Sequence, residues 1–345
     1  MSRTTGAGPV SSVSEAKTQS LLIPCGVTPE TSAPSPDGNW LAVLNDTPIN
    51  TVQIVSASNR QIVATYATGS EPLDVAWTPD STTVLVANAL GNSVTKINIV
   101  TSAVATIAVG TTPAGVTVSH SGVFALVACT GSQTIVKITL ATNATTSTSA
   151  GMAVLRNINL TPDDSVAFLV AASSSTLIRF VVATSTVTTQ VASASHLTGI
   201  AMTSDGVTLW IATKTSLRPY TIATSTFGVE IAIGTTSTLG AWITPDGTFV
   251  MTLDVTGQNV KIVRIATSIV TTATVGAGPN WLAVTPDSTT AYVANSGGYT
   301  VSKVNIAGHA STPIFAGHAS FWVSYLSGWV YSSNYFDNTI RAIAA

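Results

Sequence analysis

Charge is what this chain has least of. Lys, Arg, Asp and Glu make up 8% of its 345 residues, against about 25% in ordinary globular domains. With 13 basic and 15 acidic side chains and no basic cluster, it lacks the phosphate-neutralising surface that nucleic-acid binding requires. Cysteine is nearly absent: Cys25 and Cys129 make no CxxC pair and no Cys/His spacing of a metal site, so neither a disulfide framework nor a zinc site is expected. The four histidines, His120, His196, His309 and His318, are scattered. An Ala-Gly-His-Ala sequence at 307–310 and again at 316–319 could bring the last two together, but two neutral ligands without a carboxylate make a poor metal site. There is no GxSxG elbow and no phosphate-cradling glycine loop with its lysine. No apolar run approaches 18 residues, which excludes a membrane-spanning helix. Helical periodicity is missing too, apart from the short polar stretch Ser11–Gln19.

What is present is a repeated turn. It reads Ser35-Pro36-Asp37-Gly38, Thr78-Pro79-Asp80-Ser81, Ser119-His120-Ser121-Gly122, Thr161-Pro162-Asp163-Asp164, Thr203-Ser204-Asp205-Gly206, Thr244-Pro245-Asp246-Gly247 and Thr285-Pro286-Asp287-Ser288. A degenerate eighth copy is Ser324-Tyr325-Leu326-Ser327-Gly328, and the steps run from 39 to 43 residues. Each unit carries four short Val-, Ile- and Thr-rich runs separated by Gly, Asn, Asp and Pro; in the second these are Leu73–Thr78, Val84–Asn88, Val94–Ile99 and Val104–Val109. A period of about 40–45 residues with four strands per unit is the signature of propeller blades. The reading is an all-β, eight-bladed β-propeller of four-stranded antiparallel blades over 18–345, behind a flexible arm at 1–17. The last unit ends one strand short, and Gln19–Cys25 has the outer-strand pattern that would complete it. The alternative is seven blades and a stray copy.

Leu85-Val86-Ala87-Asn88 and Tyr292-Val293-Ala294-Asn295, each after a Thr-Pro-Asp turn, resemble the repeat of the YVTN family of β-propellers. Asn45 and Asn334 match its closing Asn, while Cys129, Thr213 and Asp254 depart from it. The resemblance covers residues 20–345. It implies a scaffold shared by surface-layer proteins and distant enzymes, and little chemistry. Cys25 and Cys129 fall in different parts of such a ring, too far apart for a disulfide, and read as small buried apolar residues.

The outer runs, such as Ala183–Thr189 and Ala266–Thr272, are rich in Thr and Ser. Threonine suits a strand exposed on one side, because its branched carbon fits the pleat and its hydroxyl faces water. A hydroxyl-coated, charge-poor body suits a protein exposed outside cells, yet the start Met1–Gly6 lacks the apolar core of a secretory signal. A virion component satisfies both facts; a cytoplasmic protein is the alternative.

The regular Asp residues at 37, 80, 163, 205, 246 and 287 are expected to cap their own turns, not to catalyse. Binding residues should lie where the units differ. The loops leading into the innermost strands align Pro29, Pro72, Pro113, Leu155, Leu197, Thr238, Pro279 and His318. Around them stand the non-consensus Glu71, Asp74, Arg156, Asn157, His196 and Asn280. Three residues before the turn proline, where most units carry something small, the sixth and eighth carry Trp242 and Trp322. Trp281 comes two residues earlier in the seventh. Tyr299, Tyr335 and Phe336 fall in loops between second and third strands of the same sector. Flat rings gathered on one sector suit a partner- or sugar-binding surface; the competing reading is that the tryptophans fill gaps between wedge-shaped blades.

The expected function is therefore a non-enzymatic interaction or structural propeller, exposed on a virion (decoration, fibre or receptor binding) or a cell surface. Its partners would be proteins, copies of itself or a glycan, with no cofactor, no metal and no catalytic residue assigned. The alternative is a hydrolase or lyase of the lactonase type working at the channel mouth.

Overall fold

The computed structural model describes residues 20–171, 174–193, 195–235 and 237–345, and of 154–156 only the backbone. The expected arm 1–17 and the stretch Ser11–Gln19 lie outside the described residues. Eight antiparallel sheets follow in chain order and contact one another in a closed circle. Blade 2 is representative, with strands Pro72–Trp77, Thr83–Asn88, Ser93–Asn98 and Val104–Ala108 from the channel outwards.

Burial follows from position in the blade. The second strand is covered on both faces, so Thr83–Asn88 and Phe124–Cys129 are buried throughout and read as continuous apolar runs. Outermost strands such as Ile62–Ala67 keep one face in solvent and alternate. Among the described residues the apolar side chains gather into eight clusters, each shared by two neighbouring blades. The ring is thus held by eight similar interfaces.

Closure uses both ends of the chain. Ser20–Pro24 runs antiparallel to Thr339–Ala344, with Ile23 opposite Ile340, and the Cys25 N–H reaches the Asn338 carbonyl at 3.3 Å. Ile23 is buried with Leu41, Val43, Leu326 and Tyr331 between blades 8 and 1. This excludes the seven-blade alternative.

Two devices recur from blade to blade. In the turns, the Ser or Thr hydroxyl donates to the Asp carboxylate at 2.5–2.6 Å, and that carboxylate accepts the N–H two residues on. The capping role expected for these aspartates is what the geometry shows. The fourth turn residue reaches the neighbouring blade: the Asp37 N–H donates to Ser81 Oγ and the Asp246 N–H to Ser288 Oγ, both at 3.0 Å. In the third copy, which has no Asp, His120 and Ser121 N–H groups donate to Asp164 of blade 4. The second device is the closing Asn. Asn88 and Asn295 are fully buried, and Asn295 Nδ2 donates to Ser302 Oγ and to the hydroxyl and carbonyl of Thr300, each at 3.1 Å. Cys129 takes that rank in blade 3, where burial pushes its thiol up to about 11; Cys25 is pushed by burial to about 12. Both are free.

Blade 5 departs from the pattern for a local reason. Pro219 on its third strand has no N–H to give, and the outer strand breaks into Thr226–Phe227 and Ile231–Ala232, with Val229 exposed between them.

The turns set an acid limit on stability. For Asp246, burial pulls the carboxyl upward, but hydrogen bonds from Thr244, Thr248 and Ser288 outweigh it and hold the group at about 2. Asp80, Asp163, Asp205 and Asp287 are also lowered, first by the Thr hydroxyl of their own turn. A carboxyl lowered by folding stabilises the fold at pH values above its unfolded pKa, about 4. That contribution disappears as pH falls through the folded value. The thermal midpoint is expected to be flat from pH 7 to 5 and to fall between about pH 4 and 2. A Thr244→Ala variant should fall less steeply there; an identical slope would remove these turns as the cause.

Candidate functional site

The eight innermost strands belong to separate sheets, so side chains link them around the channel. Thr31 Oγ1 donates to the Leu73 carbonyl at 3.2 Å, Asn280 Nδ2 to the Phe321 carbonyl at 3.0 Å, and Asp74 Oδ2 accepts the Val116 N–H at 2.9 Å. Asp74 Oδ1 also accepts its own neighbour's N–H, from Val75. Asp74 is thus first a stitch between blades 2 and 3, and it lines the channel as well.

The channel holds a cavity of about 510 Å³. Trp242, Trp281, Trp322 and Phe321 form one wall; Glu30, Leu73 and Asp74 stand in blades 1 and 2. Trp281 and Trp322 stack with ring centroids 3.5 Å apart and planes 18° apart, and Trp242 meets Trp281 edge-on at 5.3 Å. Trp242 and Trp281 also pack against the apolar clusters of the blade 6–7 and 7–8 interfaces. Gap filling and channel lining are therefore the same act.

A second compartment of about 490 Å³ shares Glu30, Leu73 and Phe321 with the first, and adds Asp46, Glu71, Tyr335 and Phe336. Its rings continue outward: Phe321 to Tyr335 at 5.8 Å, Tyr335 to Phe336 at 5.3 Å, Phe336 to His318 at 5.0 Å and His318 to Tyr299 at 4.8 Å. This run of rings ends at Phe321, which lines the inner cavity together with the tryptophan stack. Glu71 sits in a left-handed backbone conformation (φ 54°), and its N–H is held by Asn50 Oδ1 at 3.0 Å.

The structure gathers most of the residues singled out in the sequence. Trp242, Trp281, Trp322 and Asp74 line the inner cavity, with Asn157 and Asn280; Glu71, Tyr335 and Phe336 line the outer one, with Tyr299 and His318 beside it. His196 is exposed and lines neither compartment. The Arg156 side chain lies outside the described residues. His309 sits in a turn between the third and outer strands of blade 7, on the opposite face from His318, so the repeated Ala-Gly-His-Ala does not bring two imidazoles together.

Two alignments need correction. Strand pairing puts Val154 and Ser320, not Leu155 and His318, level with Pro29 and Pro279. It also gives Trp322 the rank of Trp281, opposite Ser333 and Ala294, while Trp242 lies two residues further along. The cause is the last hairpin. Leu326 pairs with Trp329 across the two-residue turn Ser327-Gly328, both with positive φ, so counting back from the turn overshoots. Glu30, Asp46 and Phe321 escape the sequence reading. Glu30 and Phe321 follow the first residue of their strands, a rank where Leu73 and Leu239 are ordinary, and this contrast is the available signal.

Among the described residues no group of three or more His, Cys, Asp or Glu side chains is arranged to hold a metal ion. No helix among them is long and apolar enough to cross a membrane. No known protein family matches the sequence, and no curated protein resembles it significantly. Solved structures do share its shape. Kuenenia stuttgartiensis hydrazine synthase aligns over 98% of this chain and 99% of its own, with TM-score 0.66 and 19% identity. Dihydro-heme d1 dehydrogenase NirN, solved in complex with DHE, aligns over 87% of this chain and 69% of its own, with TM-score 0.72 and 13% identity. At these identities the likeness is one of fold: an eight-bladed propeller.

Proposed function

We propose that the protein is a recognition module of the YVTN-like kind, a rigid propeller that binds a partner or glycan at the aromatic mouth of its channel while exposed on a virion or cell surface. The observation that carries this reading is a pair of ring runs, Tyr299–His318–Phe336–Tyr335–Phe321 and Trp242–Trp281–Trp322, whose ends Phe321 and Trp322 line the same inner cavity, itself sharing Glu30, Leu73 and Phe321 with the outer one. Large flat side chains give contact area at low entropy cost, and such rings dominate binding hot spots. The hydroxyl-rich, charge-poor rim supports an exposed setting.

Phe336, 64% exposed, is the side chain to test. Phe336→Ala is expected to leave the melting temperature unchanged while weakening binding to isolated particles or to a glycan array by about tenfold or more. Co-sedimentation and array binding would read this. Undiminished binding by Phe336→Ala, with loss in a blade 5 rim variant such as Val229→Asp, would move the site elsewhere.

A second reading is favoured by one observation. Glu30 and Asp74 line the inner cavity, and both fold relatives named above are enzymes by name. A lactonase- or lyase-type activity would show as turnover lost in Glu30→Gln.

A further inference from the structure

We propose that the outer compartment is a site for a small organic ammonium ion, an inference that rests on reading the channel mouth as a recognition site. The compartment has two kinds of wall. Phe321, Tyr335 and Phe336 of blade 8 form one; Glu30, Asp46 and Glu71 of blades 1 and 2 contribute the other. The face of an aromatic ring is the negative pole of its quadrupole, and the carboxylates carry full negative charge. A ring face turned to the space carries the same sign as the carboxylates, and no Lys or Arg is among the described residues lining the space. Three carboxylates with no basic partner among the lining residues favour a cation in this compartment over an anion.

Two of the three acidic residues have their backbones held in place. Glu71 is pinned by its backbone: Asn50 holds its N–H, and its carbonyl accepts the Ala89 N–H at 2.7 Å. Asp46 gives its N–H to the Thr28 carbonyl at 3.2 Å, and its Oδ1 is buried without a hydrogen-bond partner. Glu30 makes other interactions of its own and contributes its charge to the same wall. The volume, about 490 Å³, is that of a small-molecule site and exceeds what an inorganic cation needs. The rings supply the surface for the apolar body that bears the charge.

The test compares two probes of equal shape, choline and its neutral isostere 3,3-dimethylbutan-1-ol, by calorimetry on the full chain at low and high salt. Choline is expected to bind at least about tenfold tighter than the isostere and to weaken as salt rises. Glu71→Gln and Asp46→Asn, whose backbone bonds are unchanged, should each reduce choline affinity about fivefold, and Phe336→Ala should do so as well. Equal affinity for the two probes overturns the proposal, as does choline binding untouched by both acid variants. A glycan bound through Phe336 while choline is refused sinks the ammonium inference and leaves the recognition reading intact. Phe336→Ala without effect on any ligand sinks both.

Discussion

A chain truncated to begin at residue 27 is expected to lose more stability than any single substitution. The loss removes Ser20–Pro24 from the edge of blade 8 and bares the Thr339–Ala344 strand. An unpaired strand in a sheet with few charges is a template for another copy, so the truncated protein should elute as aggregates by size exclusion. The ribbon's contribution comes chiefly from one side chain. Ile23 is 4% exposed among Leu41, Val43, Tyr331 and Ile340, whereas Leu22 beside it is 48% exposed. Ile23→Ala should cost about 2–4 kcal/mol, and Leu22→Ala no more than about 0.5 kcal/mol. Differential scanning calorimetry on the pair separates the two. Equal effects would mean that the ribbon lies against the blade without closing the ring.

The same asymmetry shows why the fold was legible. A period of about 40 residues survives substitution because six of the eight blades share a turn whose carboxylate caps the backbone, and the blades share a two-sided buried second strand. Those demands repeat around the ring, so Asp80 and Asp246 predict each other. The closing strand was legible for a related reason: blade 8 ends at Ala344 without an outer partner, and the pattern Leu21-Leu22-Ile23 is that of the missing piece.

The site was legible only in part, because it is made where repetition stops. Trp242, Trp281 and Trp322 are conspicuous by size at ranks held elsewhere by small residues. Their ranks along those strands were not, since the rank of Trp322 depends on the length of a single hairpin. Glu30 and Asp46 have no unusual neighbours in sequence; what makes them matter is that Phe321 and Phe336, far along the chain, face the same space. Asp74 illustrates the opposite limit. It stands out as a lone charge at the mouth, yet its oxygens accept backbone N–H groups of blades 2 and 3, a use that no local pattern announces.

Gly199→Ala is expected to be the most damaging change of a single methyl group in the channel. A Cβ there would lie 2.6 Å from Gly240 Cα and 2.9 Å from Ala241 N, and backbone cannot rotate aside. The innermost strands of blades 5 and 6 must part, at a cost of about 1–3 kcal/mol or more. Gly240 has φ +68°, and a Cβ on it would meet the Trp242 ring at 2.3 Å. Gly240→Ala therefore carries about 1 kcal/mol of backbone strain and a clash with a side chain that can be removed. The two glycines can be told apart by a second substitution. Trp242→Phe should relieve much of the Gly240→Ala defect and none of the Gly199→Ala defect, read as denaturant midpoints. Both alanine variants should also alter tryptophan fluorescence, since Trp242 meets the Trp281–Trp322 stack edge-on. Relief of Gly199→Ala by Trp242→Phe would mean that the strands of blades 5 and 6 are held apart by the indole and not by their own backbones.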